Sequence, residues 1–242
     1  MSFTQSTRYQ RCQAIFDRAY PDFRNAGQRY HDHIAAIIQP TSRVLDVGCG
    51  RMSLAAEALQ QAQHLIGIDL VHEDLQHNPL VHGAAVATAN HLPFTNGSFD
   101  VVVSQWVVEH FEQPRDAFRE MSRVLRPGGH LVFLTTNANN YIPLVSRLVP
   151  DRLQKTLIQR LLRRPRHESF PTFYRANTRR AVQRLASESG LQIKEVDYIA
   201  NPFYLAFNVG TFRLALAYEK LTDWRPLNAL KLYLLAILYK PE

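Results

Sequence analysis

The sequence predicts an α/β protein with a Rossmann-like, mostly parallel sheet and helices on both of its faces. Three observations predict it. Short apolar runs alternate with amphipathic stretches from residue 44 onward, the rhythm of strands joined by right-handed helical crossovers. The first run, "VLDVGCGRMSL" (Val44 to Leu54), passes from a buried strand through a glycine turn towards a helix, a local form that brings backbone close to a ligand. The run "SFDVVVSQW" is apolar at successive positions, as expected of a strand covered on both faces.

Taken in order, residues 8–38 have helical spacing, with Ile15, Phe16 and Ala19 and later Ile34, Ile37 and Ile38 on the apolar face. "QPTS" breaks that pattern. Val44–Val47 is the first strand, and Ser53 is placed to cap a helix whose Leu54, Ala58, Leu59 and Ala62 share a face. "HLIGIDL" is a second strand ending at Asp69, "AAVAT" (84–88) a short third, and "SFDVVVSQW" the fourth. Pro114 suits the first position of a helix lined by Ala117, Met121 and Val124, which "RPGG" stops. "HLVFLTT" is a fifth strand. Residues 140–170 interrupt the rhythm with a basic stretch of helical character. "NTRRAVQRLASESG" is a capped helix ending at Gly190, and "LQIKEVDYI" a sixth strand. The closing "LKLYLLAILYKP" fits a strand or a buried helix.

Composition limits what such a fold does. At 242 residues, 46% hydrophobic and 10% aromatic, the chain can bury a core, which excludes a disordered protein. Cys12 and Cys49 are its only cysteines, too few for a disulfide framework or a cysteine metal cluster. "MSFTQSTRYQRCQ" lacks the apolar stretch of a secretory signal, and no apolar run approaches the ~20 residues of a membrane span. A cytoplasmic location is the expectation. The net charge of +7 is unevenly placed. Arg147 to Arg184 holds eleven Lys or Arg against Asp151 and Glu168, a local +9, so the remainder carries −2. A solvated helix face explains many such runs; so does a surface that meets an anionic acceptor, a phospholipid headgroup or nucleic acid.

Ligands of open parallel sheets bind at the carboxyl ends of the strands, beside the point where strand order reverses. Four such ends carry suitable residues: Asp46-Val47-Gly48-Cys49-Gly50, Asp69, Thr88-Ala89-Asn90 and Ser104-Gln105. Gly48 and Gly50 have no Cβ to hold a ligand off, and Asp69 can accept hydrogen bonds from a pair of hydroxyls. Either acid alone is explained by turn-making; their placement at adjacent strand ends points to a site. Arg51, Met52 and Ser53 follow Gly50, so the third glycine of a dinucleotide fingerprint is missing.

The ordered set "VLDVGCG", "IGIDL", "LPFTNGSFDVVVSQWVVEHF" and "REMSRVLRPGGHLVF" resembles the class I S-adenosylmethionine-dependent methyltransferases. The likeness is to the group that holds ubiquinone and menaquinone C-methyltransferases and many small-molecule O-methyltransferases, and it covers about residues 40–136. It implies S-adenosylmethionine as cofactor. It places Asp46, Gly48, Cys49 and Gly50 around the methionine portion and its ammonium, Asp69 with Leu70 at the ribose, and Gln105 in the pocket wall. Where the group usually has an Asp for the adenine amine, this chain has Thr88, leaving part of that task to the main chain of Ala89 and Asn90. "NPFY" (201–204) is like a motif of nucleic-acid amino methyltransferases but follows the sixth strand rather than the fourth, and reads as a turn. Cys49 lies inside the cofactor loop, which favours packing over nucleophilic chemistry.

Methyl transfer is an in-line displacement, so the protein must mainly align the reactants and exclude water. A hydroxyl acceptor also needs a base, and "VVEHF" puts His110, with Glu109 as its possible orienting acid, just past the cofactor wall. The competing explanation is a histidine that bonds backbone at a strand–helix junction. His167 and Tyr174 are further candidates; His31 and His33 suit a solvated helix face, and "HEDLQHNPLVH" lacks metal-ligand spacing. The expected organisation is one domain over 1–242: N-terminal helices (1–40), a cofactor-binding core (41–136), a basic lid insertion (137–176) and C-terminal completion of the sheet (177–242). The expected acceptor is a small or lipid-linked molecule, anionic or ring-bearing, methylated on oxygen or carbon, with peripheral contact to an anionic membrane open. RNA uses the same charge, but no appended RNA-binding module accompanies it. The remaining alternative is a noncatalytic cofactor-binding partner subunit.

Overall fold

The computed structural model describes residues 7–148 and 170–242. Its chain clusters into two compact units, one of residues 26–136, 170–197 and 234–242, the other of residues 1–25, 137–169 and 198–233. Seven strands form one sheet: β1 (Arg43–Val47), β2 (His64–Asp69), β3 (Gly83–Val86), β4 (Phe99–Gln105), β5 (Leu125–Thr136), β6 (Gln192–Ile199) and β7 (Tyr233–Tyr239). Their order is β3-β2-β1-β4-β5-β7-β6. β1 pairs in parallel with β2 and β4, β2 with β3, and β4 with β5. The order therefore reverses between β1 and β4, and the crevice above their carboxyl ends is where such sheets take ligands.

The C-terminal apolar run resolves as strand β7. Gly128 N–H donates to the Lys240 carbonyl and Lys240 N–H to the Gly129 carbonyl. The start of β5 thus meets the end of β7, and the two run antiparallel. Lys240 Nζ also donates to the carbonyls of Ser122 and Leu125, at the end of a helix over Pro114–Val124. A cation there satisfies acceptors that a helix end leaves open.

The helices of this unit are α2 (Ala26–Ala35), α3 (Ala56–Leu59), α4 (His72–Gln76), α5 (Pro114–Val124) and α7 (Arg179–Glu188). α5 starts on Pro114 and buries Ala117, Phe118, Met121 and Val124, with the Phe118 ring edge-on to Phe133 of β5. α7 is capped by Thr178, whose hydroxyl accepts from Ala181 N–H, and Gly190 follows it with φ 71°.

Three segments add detail to the sequence pattern or depart from it. The N-terminal helices expected over residues 8–38 are α1 (Thr7–Ala19) and α2, separated by a turn at Pro21, whose ring and missing N–H end helical bonding. The helix expected after Ser53 shrinks to α3, and Leu54 stays exposed. Its N–H is taken by the Gln105 carboxamide, while Ser53 Oγ caps only Ala55 N–H. "RPGG" does follow the end of α5, but β5 begins before "HLVFLTT", at Leu125, and includes it, with a slip of the β4–β5 register between Phe99 and Val101.

The second unit contains α1, α6 (Tyr141–Leu148), α8 (Val209–Thr222) and 3-10 turns at Pro202–Leu205 and Arg225–Leu230. Cys12, Phe16, Ala206, Phe212 and Leu216 form its core, with Phe23 and Phe203 against them. Asn208 and Thr211 close a reciprocal capping box at the start of α8. "NPFY" forms the first of the 3-10 turns. The Asn201 side chain donates to the Tyr233 hydroxyl and its N–H to Glu219, so the motif serves packing.

Candidate active site

The strand β1 ends in a turn that only glycine fits. Gly48 has φ +73° and Gly50 φ +48°, in the left-handed region. A Cβ on Gly48 would meet Val107 Cγ2 at 2.2 Å, so its lack of side chain makes room for Val107 rather than for a ligand. A Cβ on Gly50 would meet nothing, and this is the open glycine of the pair. The turn is pinned to β2 by the N–H groups of Gly48 and Cys49, both donating to the Ile68 carbonyl. Asn78 Nδ2 donates to the carbonyls of Cys49 and Gly50.

The two expected acids behave differently. Asp69, at the end of β2, accepts from Gly50 N–H on one carboxylate oxygen and from Val71 N–H on the other, each at 2.9 Å. It binds the turn to the next loop while each oxygen keeps a further lone pair. Asp46 is buried, its Oδ1 has no protein partner, and its carboxyl is pushed up to about 7 by burial and then by the charge of Asp69. Tyr30 of α2 is fully buried, and burial followed by the charge of Asp46 drives its phenol upward. The Cys49 thiol is pushed up to about 12 by burial, Asp46 and Asp69. It packs against Gly67, where a Cβ would lie 2.6 Å from its sulfur. Burial and the two neighbouring acids disfavour its thiolate, the nucleophilic form.

Gln105, at the end of β4, takes Leu54 N–H on its carbonyl oxygen at 2.8 Å and donates to the Met52 carbonyl at 3.1 Å. It braces the far side of the glycine loop. Beyond β3, Thr88 is exposed and Ala89 and Asn90 are half-buried; the Thr88 carbonyl accepts from His91 N–H. Leu70 is 54% exposed beside Asp69, and Met52 is 76% exposed, an apolar rim along this end of the sheet. A groove of about 570 Å³ lined by Arg43, Asp100, Arg126 and His130 lies at the opposite, amino ends of the strands. It is remote from the glycine turn.

After β4 the chain makes a 3-10 turn over Val108–His110. The pairing expected of Glu109 with His110 is not what holds either side chain. Glu109 is buried, and its carboxylate accepts from Thr135 Oγ1 at 2.6 Å and from Thr136 Oγ1 at 3.4 Å. Asn177 donates in turn to Thr135 Oγ1 and the Thr136 carbonyl. Burial raises the Glu109 carboxyl against the opposing pull of Thr135. Its main-chain carbonyl accepts from Phe173 and Tyr174 N–H, fixing the 170–174 segment to the turn. His110 is oriented by that segment instead, with Nδ1 2.9 Å from the Pro171 carbonyl and the Phe170 ring 6.1 Å away. A carbonyl only accepts, so Nδ1 is the donor, and in the neutral ring Nε2 is the nitrogen left with a lone pair. His167 and Arg160, Arg163, Arg164 and Arg166 of the basic insertion lie outside the described residues.

Residues 45–133 match the methyltransferase-domain family. This stretch is similar to methyltransferase domains. The chain is 32% identical over 105 residues to the ubiquinone biosynthesis O-methyltransferase of Pectobacterium carotovorum, a match covering 40% of this chain and 44% of that protein. The enzyme of the same description from Aliivibrio fischeri is 32% identical over 108 residues, covering 40% and 45%. The chain thus spans less than half the length of the curated relatives it matches. Among solved structures, it is similar to the YcgJ protein of Bacillus subtilis at 20% identity and TM-score 0.55, over 88% of this chain and 98% of that one. Geranyl diphosphate C-methyltransferase from Streptomyces coelicolor, solved with magnesium, geranyl diphosphate and S-adenosyl-L-homocysteine, is similar at 16% identity and TM-score 0.57, over 98% and 86%. These likenesses establish the Rossmann-like methyltransferase fold. The site fits a ligand with a cationic group: the unpartnered Asp46 Oδ1 is a buried acceptor, and Gly50 leaves the turn open.

Among the described residues, none of the expected sites is a metal cluster of His, Cys, Asp or Glu. Sequence reasoning missed Asn78, Val107, Tyr30 and Asn177. Asn78 and Asn177 act on backbone or on other side chains far along the chain, which leaves no local pattern. Val107 was legible only through its complement, the glycine at 48.

Proposed function

We propose that this protein is an S-adenosylmethionine-dependent methyltransferase that acts on oxygen or carbon of a small-molecule or lipid-linked acceptor, anionic or ring-bearing. The observation that carries the reading is the pairing of the buried, unpartnered Asp46 carboxylate oxygen with an open glycine turn at the sheet's switch point. In this reading Asp46, Gly48, Cys49 and Gly50 surround the methionine end, with Asp46 facing the ammonium. Asp69 and Leu70 take the ribose, and Thr88, Ala89 and Asn90 the adenine. Gln105 holds the loop that walls the pocket. The bound cofactor supplies a methyl group on sulfonium sulfur, already activated for displacement.

The chain's own residues then have two tasks. The ordered turn and its braces fix the donor, so little entropy remains to be lost on alignment. For a hydroxyl acceptor, His110 removes the proton on Nε2, because Pro171 holds Nδ1 protonated. The cations of the basic segment, with Phe170, Phe173 and Tyr174 among them in sequence, suit a negatively charged, ring-bearing acceptor. The likeness to a ubiquinone biosynthesis O-methyltransferase and to a geranyl diphosphate C-methyltransferase supports this reading. An acceptor with a long apolar tail would be met at an anionic membrane surface.

Calorimetry tests the cofactor half: S-adenosylmethionine and its demethylated product bind, nicotinamide dinucleotides do not, and Asp69→Ala weakens binding by about 1–3 kcal/mol. Radiolabelled methyl transfer to cell extracts tests catalysis. Binding without transfer to any fraction favours a noncatalytic partner subunit, and label recovered in RNA favours a nucleic-acid enzyme.

A further inference from the structure

We propose that the outer face of α8 docks on an anionic lipid surface. The helix is apolar on two sides. Phe212, Ala215 and Leu216 point into the core of the helical unit. On the other side Leu214 is 73% exposed and Leu221 58%, and Trp224, just past the helix end, is 64% exposed. Leu214, Ala217 and Leu221 recur at helical spacing, all exposed, and Trp224 continues the row. No packing need of the fold accounts for three large apolar side chains in one exposed line.

The charges beside the row decide what covers it. Arg213 and Lys220 lie along its edge and Arg225 follows Trp224, all exposed, and none has an acidic partner among the described residues. Asp223, the acid nearest the row in sequence, is engaged by Tyr20 Oη at 2.6 Å and Lys231 Nζ at 2.6 Å. Glu219 is buried on the opposite side of the helix. The row is thus an apolar strip with exposed cations at its border. Its exposed apolar area is on the order of 400 Å², about half of what each partner buries in a stable protein complex. A bilayer asks for less: the leucines enter the headgroup boundary, Trp224 sits at that depth, and the cations meet lipid phosphate. An anionic bilayer is therefore the occupant that fits both the area and the charge.

The test is sedimentation of the full chain with phosphatidylcholine vesicles, with and without phosphatidylglycerol, in the absence of cofactor and acceptor. Neither ligand is needed, so loss of vesicle binding is distinguishable from failure of the transferase reading. The expected result is binding to the anionic vesicles, about tenfold weaker or more in Leu214→Asp/Leu221→Asp and weakened in Arg213→Glu/Lys220→Glu. Circular dichroism checks that the variants are folded; if the aspartates disturb folding, Leu214→Gln/Leu221→Gln serves. Quenching of Trp224 emission by brominated lipid, lost in Trp224→Phe, is the second expected readout. Wild-type chain that ignores anionic vesicles at low salt overturns the proposal. So do leucine variants that bind as well as wild type, which would move the contact to another surface. A wild-type dimer that the leucine variants convert to monomer also overturns it, since the row would then belong to a second copy.

Discussion

Asp46 is a carboxyl that the fold holds at a cost. Its value of about 7, against an ordinary 3.8, means the folded chain keeps a proton that the unfolded chain releases. Stability from this group is complete below about pH 4 and is lost as pH rises to about 7, by up to about 4 kcal/mol. Asp46→Asn should remove that loss and stabilise the ligand-free protein at pH 8, measured by urea denaturation. The same change should weaken S-adenosylmethionine binding, because a cationic group opposite Asp46 favours its charged form. Binding to wild type should release a proton between pH 4 and 7 and strengthen as pH rises through that range; calorimetry in buffers of different ionisation enthalpy reads this directly. At His110 the tautomer set by Pro171 leads to a separate expectation. His110→Ala should lower turnover on a hydroxyl acceptor by about 10²-fold or more while cofactor affinity stays within about twofold. Cofactor affinity lost together with turnover would mark a structural histidine. The acids at residues 46 and 69 were legible because each stands at a strand end beside the glycine turn. The state of Asp46 was not, since it depends on what burial leaves unpaired.

At the scale of elements, sequence pattern located strands better than short helices. β1, β2 and β4 are apolar runs of a length that only a sheet accommodates. Four residues of α3 carry too little periodicity, and its expected first turn is unwound by a bond from Leu54 N–H to a side chain 51 positions away. Glu109 gives the same lesson: its neighbour in sequence suggested a catalytic pair, and its partners in space are Thr135 and Thr136. α7 shows a local conflict that the sequence does display. Arg179 and Arg180 open the helix, with no acid in its first turn, although the helix dipole there disfavours cations. Arg180→Glu should therefore raise stability by about 0.3–1 kcal/mol at low salt, and Thr178→Ala should lower it by about 1 kcal/mol through loss of the cap. Urea denaturation of the two variants checks both signs. A destabilised Arg180→Glu would mean that this arginine is held by an interaction stronger than the dipole.

For the whole molecule, the alternation of strands and helices carried the architecture, while long-range grouping leaves no such pattern. The helical unit is assembled from residues 1–25, 137–169 and 198–233, and periodicity reads only neighbours along the chain. Charge is the one global property that the sequence displays without a fold. Residues 147–184 hold +9 while the rest holds −2, a segregation that solubility alone does not require, because dispersed charge serves it as well. Some of these cations have local duties: Arg175 donates to the Glu112 carbonyl and lies over the Phe173 ring. Arg163 and Arg164 stand on either side of no acid in sequence, next to Pro165 and Arg166. If this segment meets the charge of the acceptor, Arg163→Glu/Arg164→Glu should raise KM for an anionic acceptor about tenfold and leave S-adenosylmethionine affinity unchanged. Salt gives an independent reading. KM of the wild type should rise between 0.01 and about 0.3 M salt, as the Debye length shrinks from ~30 Å to below ~8 Å, and the variant's should rise much less. Equal KM values and equal salt slopes would return the segment to an ordinary solvated surface.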